Sequence, residues 1–245
     1  MLGNFIEGVK ALIEGCRLLA RPRIRRYVAV PFLISAIFFT AGLWLMARYL
    51  EGVVNSMIPA WLDWLRYVLY PLFAVIALAM FYFGFALLAS FVSTPFNSML
   101  SEAVEHEVFG SAPAAEFSWR KLLAEFGVVL ISELRKLGYV LSRLIPALLL
   151  LFVPVVGAVL WFLLSAWMLA LNYADYPLGN HGLAFPAQRQ RLRETRWQSL
   201  GFGVATLVLT LLPVVNFIAV PAAVAGATVL YLRPPPQPPA KIDAP

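Results

Sequence analysis

The chain has 245 residues, of which 61% are hydrophobic and 13% charged. A soluble domain carries about 45–50% apolar and about 25% charged residues, so a water-facing globule is excluded and an integral membrane protein is indicated. The formal net charge of +6 then reports orientation and contact with anionic lipid, and no nucleic-acid partner is implied.

Residues 1–20 predict an amphipathic helix. Leu2, Phe5, Ile6, Val9, Leu12, Ile13, Cys16 and Leu19 recur at helical spacing, and Asn4, Glu7, Lys10, Glu14 and Arg17 take the other side. The pattern fits a helix lying on the membrane interface or one packed on the protein's own body, and does not separate the two. "RPRIRRY" (21–27) leads into Val28–Ala47, which carries no charge. Twenty residues at ~1.5 Å each span ~30 Å, the thickness of a hydrocarbon core. The first membrane span is therefore placed at 28–50 and a second, also uncharged, at 67–92. Trp44, Tyr49, Trp61, Trp64 and Tyr67 gather around the short loop 48–66, as an aromatic belt does.

Residues 93–143 are more polar and predict two helices outside the hydrocarbon or along its edge. "STPFNSML" reads as a helix start, with Ser93 or Thr94 as cap and Pro95 in the first turn. "GSAPAAEFS" (110–118) ends that helix. A second amphipathic helix follows from Ser118, with Leu122, Phe126, Val129, Leu130, Leu134 and Leu137 on one stripe. Two further apolar segments, 144–171 and 200–232, are interrupted by Pro146, Pro154 and Gly157, and by Pro213, Asn216 and Pro221. Residues 1–233 form one membrane-embedded helical domain on this reading. The Pro-rich tail 234–245 favours extended polyproline and is expected to be disordered.

Charge decides how the last two apolar segments are read. If both crossed the bilayer, Arg189, Arg191, Arg193 and Arg196 would sit in a short loop on the outer side, against the positive-inside rule. If each is a helical hairpin that enters and returns, 1–27, 93–143, 172–199 and the tail share one side. That side then holds 17 of the 19 Lys and Arg residues, and loop 48–66 holds two. Each half of 200–232, divided around Pro213–Pro221, is about a dozen residues and reaches ~18 Å, too short to cross. The fold expected is all-α, with two full transmembrane helices, two partly inserted hairpins and amphipathic interfacial helices. Backbone groups freed at a turn within the membrane need partners. Asn216 is placed to supply one, and "PAAVAGAT" (221–228) suits close helix packing or subunit contact.

Four stretches together resemble the CysZ-type sulfate transporters of the etoposide-induced-protein superfamily. They are "LLARPRIRRYVAVPFLI" (18–34), "STPFNSMLSEAVE" (93–105), "LNYADYPLGNHGLAF" (171–185) and "LGFGVATLVLTLLPVVNFIAVPAAVAGATVLY" (200–231). The resemblance implies sulfate uptake across a bacterial inner membrane, feeding cysteine biosynthesis. It also implies an oligomeric assembly and no ATP hydrolysis; no Gly-x-x-x-x-Gly-Lys-[Ser/Thr] loop occurs, while the charge bias is what places the N-terminus in the cytoplasm. Sulfite is not distinguished from sulfate. In that family a Gly-Leu-Arg-Arg turn is implicated in sulfate binding. The matching positions here are Arg23, Ile24, Arg25 and Arg26, and Arg23 departs from the family by replacing a glycine that allows close backbone approach.

Sulfate is a dianion whose water shell must be replaced by charges and donors. Arginine stays ionised and can bond two oxygens at once. A helix starting near Pro31, or at the arginine turn itself, adds unpaired N–H groups and a positive dipole end. Taken alone, the four arginines read as anchors to anionic headgroups. With the resemblance, Arg25 and Arg26 become the leading sulfate ligands and Arg21 and Arg23 stay anchors. Arg189, Arg191, Arg193 and Arg196 read as a solvated, lipid-facing basic loop. Glu102, Glu105, Glu133 and Asp175 read as structural acids that pair with arginines, with gating as the alternative, and Asn97 as a cap or a backbone partner. The single cysteine and two scattered histidines offer neither a disulfide nor metal-ligand spacing. No cofactor is expected. No hydrolase or metalloprotease motif appears, so an enzyme is not indicated. The rival function is a non-transporting, lipid-organising scaffold built from the same basic and amphipathic elements.

Overall fold

A computed structural model describes residues 1–57, 63–110, 138–144, 148, 153, 155–212 and 215–233, and among them every regular element is an α-helix. The expected amphipathic helix from Ser118, the Pro-rich tail and most of the turn of segment 144–171 lie outside the described residues. Among the described residues the helices include α1 (Leu2–Leu18), α2 (Pro22–Met57), α3 (Asp63–Phe109), α5 (Val156–Asn180), α6 (Phe185–Glu194), α7 (Arg196–Thr210) and α8 (Asn216–Leu232). The helical residues 138–144 are α4. The chain divides into two units: residues 1–25 with 97 onward, and residues 26–96.

The second unit is built from α2 and α3. Phe39 sits against Phe81 and Phe85, with ring centroids 5.4 and 4.9 Å away, and Gly42 lies beneath the Phe81 ring. Large apolar side chains point outward along both helices, among them Phe32, Ile37, Val75 and Phe83, each more than half exposed. A water-facing helix would lose free energy by this; a lipid-facing one does not. Trp44, Tyr49 and Tyr67 are exposed as well. By length and composition, Pro22–Tyr49 is long and apolar enough to cross a membrane, and so is Val156–Asn180.

The prolines act differently from expectation. Pro31 lies inside α2, which starts at Pro22, so no helix begins at Pro31. α3 runs without interruption through Pro71 and Pro95, so "STPFNSML" is mid-helix and not a helix start. A proline removes one backbone donor, and in an apolar setting the remaining hydrogen bonds are too costly to give up. Glycine stops α3 instead: Gly110, at φ +77°, donates its N–H to the His106 carbonyl at 3.1 Å.

In the first unit α7 and α8 fold back on each other. The Tyr231 hydroxyl, at the end of α8, donates to Ser199 Oγ at the start of α7 across 3.1 Å, and its ring meets Phe202 edge-on. The chain between Thr210 and Asn216 is therefore a reversal. That interval overlaps the beginning of the Pro213–Pro221 stretch, and Pro221 lies inside α8. The arms, 15 and 17 residues long, reach ~22 and ~26 Å at ~1.5 Å per residue. α4 and α5 also return on each other. Tyr139 of α4 accepts from Trp167 Nε1 at 3.2 Å and faces Phe185, just past the end of α5. Val155, at φ 65°, precedes α5. α5 is 25 residues long, ~38 Å at ~1.5 Å per residue. It extends nine residues beyond Leu171, through Pro177.

α1 packs on α7 and α8 by a face that overlaps the apolar stripe at Leu12. Its buried residues are Gly8, Ala11, Leu12, Gly15 and Leu18, whereas Leu2, Ile6, Ile13 and Cys16 are exposed. Small residues win this seam because they let backbones touch. A Cβ on Gly8 would strike the Gln198 carbonyl, one on Gly15 the Ala222 carbonyl, and one on Gly201 the Phe5 carbonyl. The small residues of α8 do the same work: Ala219, Ala222, Ala223, Val224, Ala225 and Ala227 are fully buried. α1 thus has three faces: a glycine–alanine face turned inward, a charged face, and a large apolar face left outward.

Candidate functional site at the arginine turn

The site begins where α1 ends. Leu19 and Ala20 turn the chain, and the Arg21 carbonyl accepts the N–H groups of Ile24 and Arg25, each at 3.0 Å, which starts α2. Ile24 is fully buried and pins the turn to the first unit. Arg21, Arg23 and Arg25 are exposed around it. A helix start carries a positive dipole end, where further cations are unfavourable and an anion is favoured.

The structure separates the arginines into two kinds. Arg21 Nη1 donates to Glu107 Oε1 at 2.9 Å, and Arg23 Nη1 lies 3.7 Å from Glu107 Oε2. Arg25 has no acidic partner among the described residues. Arg26, the first residue of the second unit, donates to the hydroxyl of its neighbour Tyr27 at 3.1 Å and lies over that ring. It too has no acidic partner among the described residues. Among the described residues, Glu107 is the one carboxylate that reaches the turn, and the cations outnumber it.

The acids and amides singled out by sequence sit elsewhere. Glu105 is buried, and both its oxygens lie 3.0 Å from His181 Nε2 just past α5. Glu102, one turn earlier in α3, has its carboxyl pushed up by burial and then by the Glu105 charge. Asn97 donates to the Tyr176 hydroxyl at 3.2 Å. Asp175 accepts from Gln188 Nε2 at 2.8 Å, which ties α5 to α6. Asn180 donates to the Ser98 carbonyl, and Ser101 pairs with Thr228 of α8 inside the core. Asn216 opens α8, and its side chain is outside the described residues, as is Glu133. The described contacts of these groups join α3, α5, α6 and α8. Among the described residues, no group of His, Cys, Asp or Glu is arranged to hold a metal ion.

Sequence reading missed Glu107 and His181 as partners. Glu107 is 86 positions from Arg21, and nothing in a single sequence links the two. His181 had one local signal, its place directly after the "LNYADYPLGN" helix end.

The family model described as sulfate transporter CysZ/etoposide-induced protein 2.4 matches residues 11–221. The chain belongs to that family. It is similar to a protein of Pseudomonas fluorescens, at 40% identity over 93% of this chain and 94% of the relative. A Pseudomonas syringae pv. tomato protein is 39% identical over 93% of this chain and 92% of the relative. A Vibrio cholerae protein is 38% identical over 89% of this chain and 90% of the relative. Each of the three is named sulfate transporter CysZ. Family membership and the exposed apolar helices together make this chain an integral membrane protein, and the arginine turn lies within the matched residues.

Proposed function

We propose that this chain is a transporter, not an enzyme, that carries sulfate into a bacterial cell across the inner membrane for cysteine synthesis, without ATP hydrolysis. Arg25 and Arg26 capture the anion at the head of α2. The observation that carries this reading is the surplus of guanidinium groups at a helix start, where Glu107 engages only Arg21 and Arg23. Sulfate supplies the two negative charges that the turn lacks, and its four oxygens accept from two arginine forks. Arg23 replaces the family's glycine, but its guanidinium is held by Glu107, which leaves the anion to the next two arginines.

The N-terminus faces the cytoplasm in this reading. The contacts Arg21–Glu107, Glu105–His181 and Glu14–Arg233 bring the arginine turn, the end of α3, the segment after α5 and the end of α8 into one polar region. That supports one shared side for these segments and partial insertion of the α7–α8 hairpin, whose arms fall short of ~30 Å. Paths bounded by such short arms need further copies of the chain, so the working form is a homo-oligomer in contact with lipid.

The test is uptake of labelled sulfate by liposomes holding the purified protein. The parent takes up sulfate with no nucleotide present, and Arg25→Gln with Arg26→Gln lowers both binding and uptake at least tenfold, as loss of charge-assisted bonds does. Uptake equal to that of empty liposomes would instead make the chain a lipid-organising scaffold.

A further inference from the structure

The first unit holds a cavity of about 410 Å³ remote in sequence from the arginine turn, lined by Tyr139, Ser142, Arg143, Phe185, Pro186 and Arg189. That volume is in the range of small-ligand sites. Arg143 and Arg189 come from different elements, α4 and α6, yet both lie over the Tyr139 ring, at 5.5 and 5.3 Å from its centroid. The ring is itself fixed, since its hydroxyl accepts from Trp167 and its face meets Phe185 at 5.7 Å. One aromatic platform therefore holds two like charges at one cavity. Among the described residues no carboxylate lines that cavity and neither arginine pairs with an acid. Both guanidiniums border the same space, so an anion seated there is attracted by each. The first turn of α6, at Phe185 and Pro186, borders the same space and adds its positive dipole end. The Ser142 hydroxyl, which donates to the Tyr139 carbonyl at 2.8 Å, keeps the α4 turn in place below Arg143.

We propose that this cavity is a second oxyanion site, which takes one tetrahedral sulfate- or phosphate-type group between Arg143 and Arg189. Planar guanidinium forks suit that chemistry, since each offers two parallel donors to two oxygens. Two sources supply such a group: free sulfate and the phosphate of an anionic lipid headgroup. The site does not depend on Arg25 and Arg26, so each can fail alone.

The experiment uses the full-length protein in nanodiscs. Labelled sulfate binding is measured in phosphatidylcholine, and retention of phosphatidylglycerol is measured by native mass spectrometry. The variants are Arg143→Gln with Arg189→Gln, Arg189→Gln alone, and Arg25→Gln with Arg26→Gln. If sulfate is the occupant, the parent binds sulfate in two phases, and the Arg143/Arg189 variant loses one phase or weakens it about tenfold or more. The Arg25/Arg26 variant keeps that phase. If lipid is the occupant, sulfate binding is untouched in phosphatidylcholine and retained phosphatidylglycerol falls by a similar factor. Arg189→Gln alone changes one partly exposed side chain of α6, so it reports even if the double variant does not fold. Sulfate binding and lipid retention both equal to the parent's in Arg189→Gln and in the folded double variant overturn the proposal.

Discussion

Replacing Gly15 by alanine tests the packing of α1 most directly. In an exposed helix, glycine to alanine stabilises by about 1 kcal/mol, because alanine has the better helix propensity. At Gly15 the new Cβ would strike the Ala222 carbonyl and lie 2.6 Å from the Gly226 nitrogen and 2.9 Å from its Cα. Non-bonded carbons prefer about 3.5–4.0 Å, and all three obstacles are backbone, so no side chain can swing aside. α8 must move away by up to ~1 Å, and a gap of that size forfeits a quarter to a half of the dispersion energy along the seam. Overpacking costs about 1–3 kcal/mol. With the propensity gain set against it, the net loss is up to about 2 kcal/mol. At about 2–4 °C per kcal/mol for a chain of this length, the melting temperature falls by up to ~8 °C. Gly84→Ala is the control, because a Cβ there meets nothing within 4 Å; it holds or raises the melting temperature. Tryptophan fluorescence on heating in detergent reads both. A Gly15→Ala protein that melts as high as the Gly84→Ala protein would falsify the packing of α1 on α8.

Glu102→Gln has a pH signature. Burial and the Glu105 charge hold the Glu102 carboxyl above its ordinary range, so the folded state binds a proton that the unfolded chain releases. The stability this gives is full below the ordinary carboxylate range and is lost as pH rises through the folded value. The variant should therefore match the parent in acid and melt higher at neutral pH, and a gap that closes toward neutral pH counts against the assignment. Thr228→Val should cost about 1–3 kcal/mol, because it leaves the buried Ser101 hydroxyl without a partner. Ser101→Ala should cost less, since Thr228 still donates to the Val224 carbonyl at 2.8 Å; equal losses in thermal unfolding would contradict this. Glu107→Gln removes a largely exposed pair, so stability should change by less than about 1 kcal/mol. Sulfate affinity by isothermal titration should hold or rise, and a fall would place Glu107 inside the anion site.

Much of the chain was legible because membrane burial writes long signals. The uncharged run after Arg26 is an uninterrupted helix, and 200–232 turns back before its middle, as Tyr231 beside Ser199 shows. Proline was a poor guide to helix ends: Pro31, Pro95, Pro177 and Pro221 all lie inside helices, where few alternatives exist for the freed backbone. The apolar stripe of α1 was legible but the face by which it touches protein was not, because hydrophobicity marks what avoids water, not what touches protein. Outside water, Leu2 and Ile13 have nothing to gain from facing inward, and Gly8 and Gly15 gain closeness. At the arginine turn, the residue types were legible and the division of labour was not. Glu107 decides which arginines are engaged, and its contact spans 86 positions. Arg189 over Tyr139 was invisible for the same reason, since that cation comes from a separate helix, α6, whereas Arg143 lies one turn past the ring on α4.

The glycine seams of α1 have a mechanical meaning. Where backbone rests on backbone there are no side chains to bend, so displacement is handed on and not absorbed. α1 is clamped to α7 at Gly8 and to α8 at Gly15, and it ends three residues before Arg21. A tilt of the C-terminal hairpin therefore levers the arginine turn with it, and an anion bound as proposed at that turn would push back along the same rod.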